Sequence, residues 1–229
     1  MNVSLVSVTT PDASLQTLGI KTAEDLVAFT ARVSNPGNQM STETAPRLLK
    51  YLAKHKHWSP FEMVSMTLQI DTSRAIAAQM LRHRSFSFQE FSQRYAVADM
   101  GYEEYRARRQ DLKNKQNSID DLPPETIEAF REAQAEVWKL TVDRYLKMLK
   151  LGVAKEQARM LLPLATTTRL YMSGSLRSWI HYLESRTAVE TQLEHREPAE
   201  AIKAIFIGQF PATSEALWGL PPQAEHTVY

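Results

Sequence analysis

Between Val64 and Asp71 the chain alternates strictly. Val64, Met66, Leu68 and Ile70 are apolar, while Ser65, Thr67, Gln69 and Asp71 are polar. A period of two is the pattern of a strand with one buried face. It is the cleanest strand signal in the sequence, and few others accompany it. Val3 to Val8 is a short apolar-rich run, and Thr166 to Met172 also favours a strand.

The rest of the patterned sequence is helical. Thr22 with Asp25 makes a capping pattern, with Asp where Glu or Gln is usual. Leu26, Val27, Phe29, Thr30 and Val33 then read as a helix to about Ser34, broken by Asn35-Pro36-Gly37-Asn38. A second helix starts near Pro46 and runs to about His55, since proline is tolerated in a first turn. His57 to Glu62 reads as a loop. Ser73 caps a helix carrying Ile76, Met80 and Leu81, and Arg82-His83-Arg84 ends it. Residues 99–121 are polar and read as an exposed connection, partly helical around Tyr102 to Arg109.

A long helix follows from about Pro124 to Leu151, with Gly152 as a stop. Ile127, Phe130, Val137, Trp138, Tyr145 and Leu149 give it one apolar stripe. Glu156 to Leu162 is a short helix before Pro163. Leu176 to Arg186 and Glu190 to Gln209 favour helices, and a short helix begins the tail at 211–229. No repeat or low-complexity segment interrupts this order. The fold class is α+β: a single helix-rich domain over 1–229 with a small mixed or antiparallel sheet.

The chain has 229 residues, 43% of them hydrophobic and 23% charged, with a net charge of +1. That length supports a sizeable core. The charge balance argues against a dedicated nucleic-acid binder. The first residues form no basic run followed by an apolar core, and no apolar stretch reaches membrane-spanning length. Cysteine is absent, which excludes disulfides, thiolate metal sites and a cysteine nucleophile. It agrees with a reducing cytoplasm.

Against that neutral background, Arg82 to Tyr95 concentrates arginines with His83, Glu90 and several hydroxyls. Guanidinium forks suit bidentate recognition of phosphate and carboxylate. Arginines beside an acid more often form a solvated, paired face. Phe86, Phe88, Phe91 and Tyr95 among arginines also fit a stacking platform for single-stranded nucleic acid, which the net charge disfavours. Glycine is scarce, at 7 residues, and no G-x-G-x-x-G occurs, so a dinucleotide cofactor would be held by side chains and helix ends.

The order of residues is more specific than the composition. Arg82-His83-Arg84, followed by Ser92 and then Arg94-Tyr95, resembles the signature of the flavin-dependent thymidylate synthases. His57-Trp58-Ser59-Pro60-Phe61-Glu62 resembles a second family segment, departing at Met63 where a histidine is expected. Ala158-Arg159-Met160-Leu161-Leu162-Pro163 resembles a third, and Gln192-Leu193-Glu194-His195-Arg196 continues the similarity. Ala188 lies near a position where many relatives carry an acid. The resemblance spans about residues 3–210.

The resemblance implies reductive methylation of deoxyuridine monophosphate. Methylenetetrahydrofolate would donate carbon and NADPH would reduce bound flavin adenine dinucleotide. No cysteine attack is then needed. It places the flavin against Ser34, Ser59, Glu62, Arg82, His83, Arg84, Gln89, Glu90, Arg177 and His181. It places the nucleotide against Gln79, Arg82, Glu90, Ser92, Gln93, Arg94, Tyr95, Arg159 and Arg186. His57 would lie where folate and nicotinamide enter, and Arg186 would face the pyrimidine. Ser92 is a nucleophile candidate, yet no general base adjoins it, which favours a binding role. No metal is implied. A hydroxymethyl product is the alternative on the same fold. The family assembles as a homotetramer with sites between subunits, and the same is expected here, with no membrane or nucleic-acid partner.

Overall fold

The computed structural model describes residues 1–97 and 101–219. The described strands are β1 (Asn2–Val8), β2 (Ser65–Ser73), β3 (Ser87–Glu90), β4 (Arg109–Gln110), β5 (Ser118–Ile119) and β6 (Thr167–Ser175). The described α-helices are α1 (Ala13–Thr17), α2 (Ala23–Ala31), α3 (Ala45–Lys54), α4 (Arg74–Met80), α5 (Pro124–Lys150), α6 (Lys155–Ala158), α7 (Leu176–Arg186), α8 (Leu193–Gln209) and α9 (Pro211–Trp218). No helix among these residues is long and apolar enough to cross a membrane.

Four strands form one sheet in the order β1-β2-β6-β3, with every pair antiparallel. The sheet of the α+β expectation is thus antiparallel rather than mixed. Its spine is the β2–β6 pair, in register from Ser65 opposite Ser175 to Ser73 opposite Thr167. The expected alternation holds: Met66, Leu68 and Ile70 are fully buried, as are Leu170 and Met172. The opposite face is a polar ladder of cross-strand pairs. Thr67 Oγ1 donates to Ser173 Oγ at 2.8 Å, Tyr171 donates to Gln69 at 3.2 Å, and Arg169 Nε donates to Asp71 at 2.6 Å.

Both spine strands run directly into a helix. Ser73 closes β2 and accepts from Ile76 N, so it caps α4 as expected. Ser175 closes β6 and accepts from Ser178 N, capping α7 in the same way. A serine in this role satisfies an end-of-helix N–H that would otherwise lack a partner. Trp179, Ile180, Tyr182 and Leu183 of α7 then pack into the core with Leu49 of α3 and Phe206 of α8. The Thr22 and Asp25 capping box forms at α2 with both bonds present. Glu24 beside it is buried and accepts from Ala212 N and Thr213 N, tying α2 to the start of α9. Burial holds its pKa above the ordinary carboxylate value.

Three expectations need correction. Arg82-His83-Arg84 does not end α4, which stops at Met80; the motif forms the turn that follows. The chain then enters the edge strand β3, where the sequence pattern showed only a loop. Residues Tyr102 to Arg109 are not helical; β4 and β5 make a small hairpin instead. The α5 stripe is real, but only Tyr145 within that helix is buried. The start of the 99–121 connection and the tail past Gly219 lie outside the described residues.

Phe86, at the mouth of β3, holds the motif to the core. Its ring lies edge-on to Trp179, centroids 4.7 Å apart. A Cβ at Gly174 of β6 would stand 2.5 Å from Phe86 Cδ1. Gly174→Ala must therefore displace this ring. Overpacking of this kind costs about 1–3 kcal/mol. Urea denaturation of the variant checks it; unchanged stability would show that the ring shifts freely.

Candidate active site

The antiparallel spine turns α4 and α7 toward each other at the motif. Arg186, the last residue of α7, donates from Nε to His83 Nε2 at 2.9 Å. The His83 ring lies edge-on to Tyr182, centroids 4.9 Å apart. Burial first, and the Arg186 charge second, lower the His83 pKa to about 4. The ring is neutral near pH 7, as an acceptor of the Arg186 N–H must be.

His195 of α8 stands behind this pair and is fully buried. Its Nε2 is 3.1 Å from the Tyr182 hydroxyl and its Nδ1 is 3.2 Å from Gln79 Oε1. Burial, with the Arg186 charge and His83 behind it, lowers its pKa to about 3. Gln79 Nε2 donates to Gln192 Oε1 at 2.8 Å, and Gln192 Nε2 donates to Glu194 at 2.9 Å. Arg108 closes the series with a half-buried ion pair to Glu194, 2.6 Å.

A second group lies along a cleft of about 300 Å³ lined by Arg74, Gln93, Arg159, Met160, Leu162, Pro163 and Leu164. Gln93 is buried there. Arg159 Nε is buried with no hydrogen-bond partner among the described residues. A buried, unpaired guanidinium N–H is costly unless a ligand completes it. Arg74 donates to Glu90 at 2.6 Å, and Thr168 Oγ1 donates to the same oxygen at 2.9 Å.

A third group surrounds the 3₁₀ turn Ser59–Glu62. Arg177 pairs with Glu62, and His181 lies edge-on to Trp58 at 5.2 Å. Ser59 borders a mainly apolar cleft with Phe29, Val33 and Met63, so the methionine in place of the expected histidine extends an apolar wall. His57 is exposed beside Tyr51 and His55. Ser34 is exposed in the turn after α2.

The remaining expected residues are at the surface. Arg82, Arg84 and Gln89 are exposed. Neither Arg82 nor Arg84 forms an ion pair among the described residues. Ser92 is half-buried and opens a turn, its carbonyl accepting from Tyr95 N and Ala96 N. Arg94 pairs with Glu156 at 3.1 Å, and Tyr95 is 86% exposed. One chain therefore gathers Gln79, His83 and Arg186 in one cluster, and Gln93 and Arg159 in another. Glu90 joins the second through Arg74. Ser59, Glu62, Arg177 and His181 make the third. No hydrogen bond or ion pair among the described residues links Arg159 to Arg186. Arg74, Tyr182 and His195 were not singled out from sequence. His195 sat inside a matching segment, but its distance in sequence from Gln79 hid the contact. Among the described residues no cluster of His, Asp and Glu could hold a metal ion.

The fold is similar to that of a UMP/dUMP methylase, PolB, from Streptomyces cacaoi, solved with 5-Br dUMP. The TM-score is 0.81 at 23% identity, covering 98% of this chain and 97% of the other. A family model described as "Thymidylate synthase complementing protein" matches residues 17–212. The chain is 51% identical over 217 residues to the "Flavin-dependent thymidylate synthase" of Synechocystis sp., covering 95% of this chain and 99% of the relative. It is equally similar to the "Probable flavin-dependent thymidylate synthase" of Paramecium bursaria Chlorella virus 1, with the same coverage. The protein is thus an enzyme of the pyrimidine-methylating class. It belongs to the flavin-dependent thymidylate synthase family.

The two neutral histidines predict an acid limit to stability. Both bind protons more weakly in the fold than at the ordinary value of 6.5. Their contribution is complete above about pH 6.5 and is lost as pH falls toward 4. Thermal denaturation should show the melting temperature falling between about pH 6.5 and 5, with a shallower fall in His195→Asn. Equal slopes would contradict the assignment.

Proposed function

We propose that this protein makes thymidine monophosphate by reductive methylation of deoxyuridine monophosphate. Methylenetetrahydrofolate is the carbon donor and NADPH the reductant, through flavin adenine dinucleotide. The observation that carries this reading is the pair of exposed cations Arg82 and Arg84, without an ion-pair partner among the described residues, beside the Arg186–His83 contact. A pyrophosphate needs fixed donors, and in a glycine-poor chain side chains must supply them. The flavin, when bound, supplies hydride chemistry that a cysteine-free protein cannot supply itself.

The residues divide by task. Arg82, Arg84, Gln89 and Ser34 hold the flavin's polar groups. Ser59, Glu62, Arg177, His181, His83 and Glu90 complete its site. Gln79, Ser92, Gln93, Arg94, Tyr95 and Arg159 hold the nucleotide, with Arg82 and Glu90 reaching both ligands. Arg94 exchanges its exposed Glu156 partner for phosphate. Arg186 faces the pyrimidine and stabilises negative charge as the ring is activated. His83 accepts the Arg186 Nε–H and so fixes the direction of that guanidinium. His57 borders the entry of folate and nicotinamide. Ser92 acts as a ligand; its half-buried turn offers no activating base.

The site is completed by a second copy of the chain, in a homotetramer. On α5, Phe130, Val137 and Leu140 are 43%, 50% and 56% exposed. Phe130 and Val137 border a cleft with Tyr102, Trp138 and Leu164. These exposed apolar side chains support the reading of this face as an interface. Arg159 lies a few residues from Leu164, so an assembly through this face delivers the Arg159 cleft to a neighbour's site. The substrate is a free nucleotide in a reducing cytoplasm, with no nucleic-acid or membrane partner.

Flavin titration tests the reading first. The protein should take up flavin adenine dinucleotide, and Arg82→Ala with Arg84→Ala should weaken it at least about tenfold, the scale of a lost charged hydrogen bond. A preparation that gains no flavin absorbance would overturn it. Subunit mixing tests the shared site. Arg159→Ala and Ser92→Tyr subunits are each impaired alone. Co-refolded at random, they should regain activity in about one quarter of two-chain sites. No recovery in mixtures shown to exchange subunits would rule the shared site out.

A further inference from the structure

Gln79 carries a terminal amide, and an amide can bind an anionic or sugar oxygen only through its N–H end. Turned over, it would present a carbonyl oxygen to the same ligand. Something must fix which end faces outward. The backbone does not, because the amide sits at the end of a flexible side chain near the close of α4.

The surrounding contacts do. His195 Nδ1 lies 3.2 Å from Gln79 Oε1, and Oε1 can only accept. Nδ1 therefore carries the proton. In a neutral ring Nε2 is then an acceptor, and the Tyr182 hydroxyl, 3.1 Å away, donates to it. Burial keeps the ring neutral, with its pKa lowered to about 3. On the other side Gln79 Nε2 gives one N–H to Gln192 Oε1 at 2.8 Å, leaving one N–H without a partner among the described residues. Gln192 is itself oriented, because its amide donates to Glu194, which Arg108 neutralises. Each donor in this series faces an acceptor. His195 and Tyr182 are buried, while Gln79 remains partly accessible.

We propose that His195 is a positioning residue for nucleotide binding: held by Tyr182, it locks the Gln79 amide with its remaining N–H turned toward the nucleotide's oxygens. This rests on the reading of Gln79 as a nucleotide ligand. His195 is fully buried, so the proposed effect is indirect and passes through Gln79.

The test is a set of variants of the flavin-loaded enzyme, read by deoxyuridine monophosphate KM and kcat separately. Gln79→Ala comes first and should raise KM. An unchanged KM there would overturn both the role of Gln79 and this proposal. His195→Leu should raise KM by about tenfold, as expected for a lost amide donor, with a smaller change in kcat. His195→Asn retains an N–H where Nδ1 stood and should restore KM to within about twofold of the original. In the Gln79→Ala background His195→Leu should have no further effect, whereas a general packing defect would add to it. If Gln79→Ala raises KM and His195→Leu leaves it unchanged, the positioning role fails while the Gln79 assignment stands. If His195→Leu does not fold, nitrogen NMR of labelled histidine in the original protein decides. A proton on Nδ1 near pH 7 supports the lock, and a proton on Nε2 overturns it.

Discussion

The antiparallel pairing of β2 with β6 is the constraint on which the rest depends. Each strand ends in a serine that starts a helix without an intervening loop. The strands run oppositely, so the two helices start from opposite ends of the pair. The end of α7 thereby meets the turn after α4, and Arg186 reaches His83. A slip of one residue would expose Met66, Leu68 and Ile70 and separate this contact. The same step that builds the core builds the site.

Electrostatics then sorts the arginines. Arg169, Arg109 and Arg131 have carboxylate partners at the surface and serve as ordinary solvated pairs. Arg186 instead faces a neutral histidine, and Arg159 has a buried N–H with no partner among the described residues. Charge left uncompensated near buried groups is expensive in an isolated chain. An anionic ligand would offset that cost, which is what the proposed nucleotide and pyrophosphate supply. The absence of cysteine belongs to the same logic: under the proposed reading, this protein positions and polarises while the cofactors carry the covalent chemistry.

Much of the fold was legible because its signals are local. The alternation over β2, the Thr22–Asp25 box and the Ser73 cap each depend on neighbours in sequence. The Arg82-His83-Arg84 to Tyr95 motif was legible for a similar reason, since its residues follow one another closely in sequence. What escaped notice depends on partners distant in sequence. Strand β3 spans only Ser87–Glu90 and exists because β6 offers it an edge. Polar residues 102–109 had the composition of a helix surface, yet no apolar periodicity to dock one. The α5 stripe was placed on a helix, but that the described residues bury only Tyr145 of it could not be read from periodicity. His195 stood in the Gln192 to Arg196 segment without an assigned role. Only the packing of α8 behind α4 makes it a neighbour of Gln79.

The central claim is that this cysteine-free scaffold activates C5 of deoxyuridine monophosphate for flavin-dependent methylation. Tritium release from C5-labelled nucleotide, supplied with methylenetetrahydrofolate and NADPH, measures that step directly. The account predicts release that requires added or bound flavin, together with a product of the mass of thymidine monophosphate. Release that persists after the flavin is stripped, or none with all cofactors present, would contradict it.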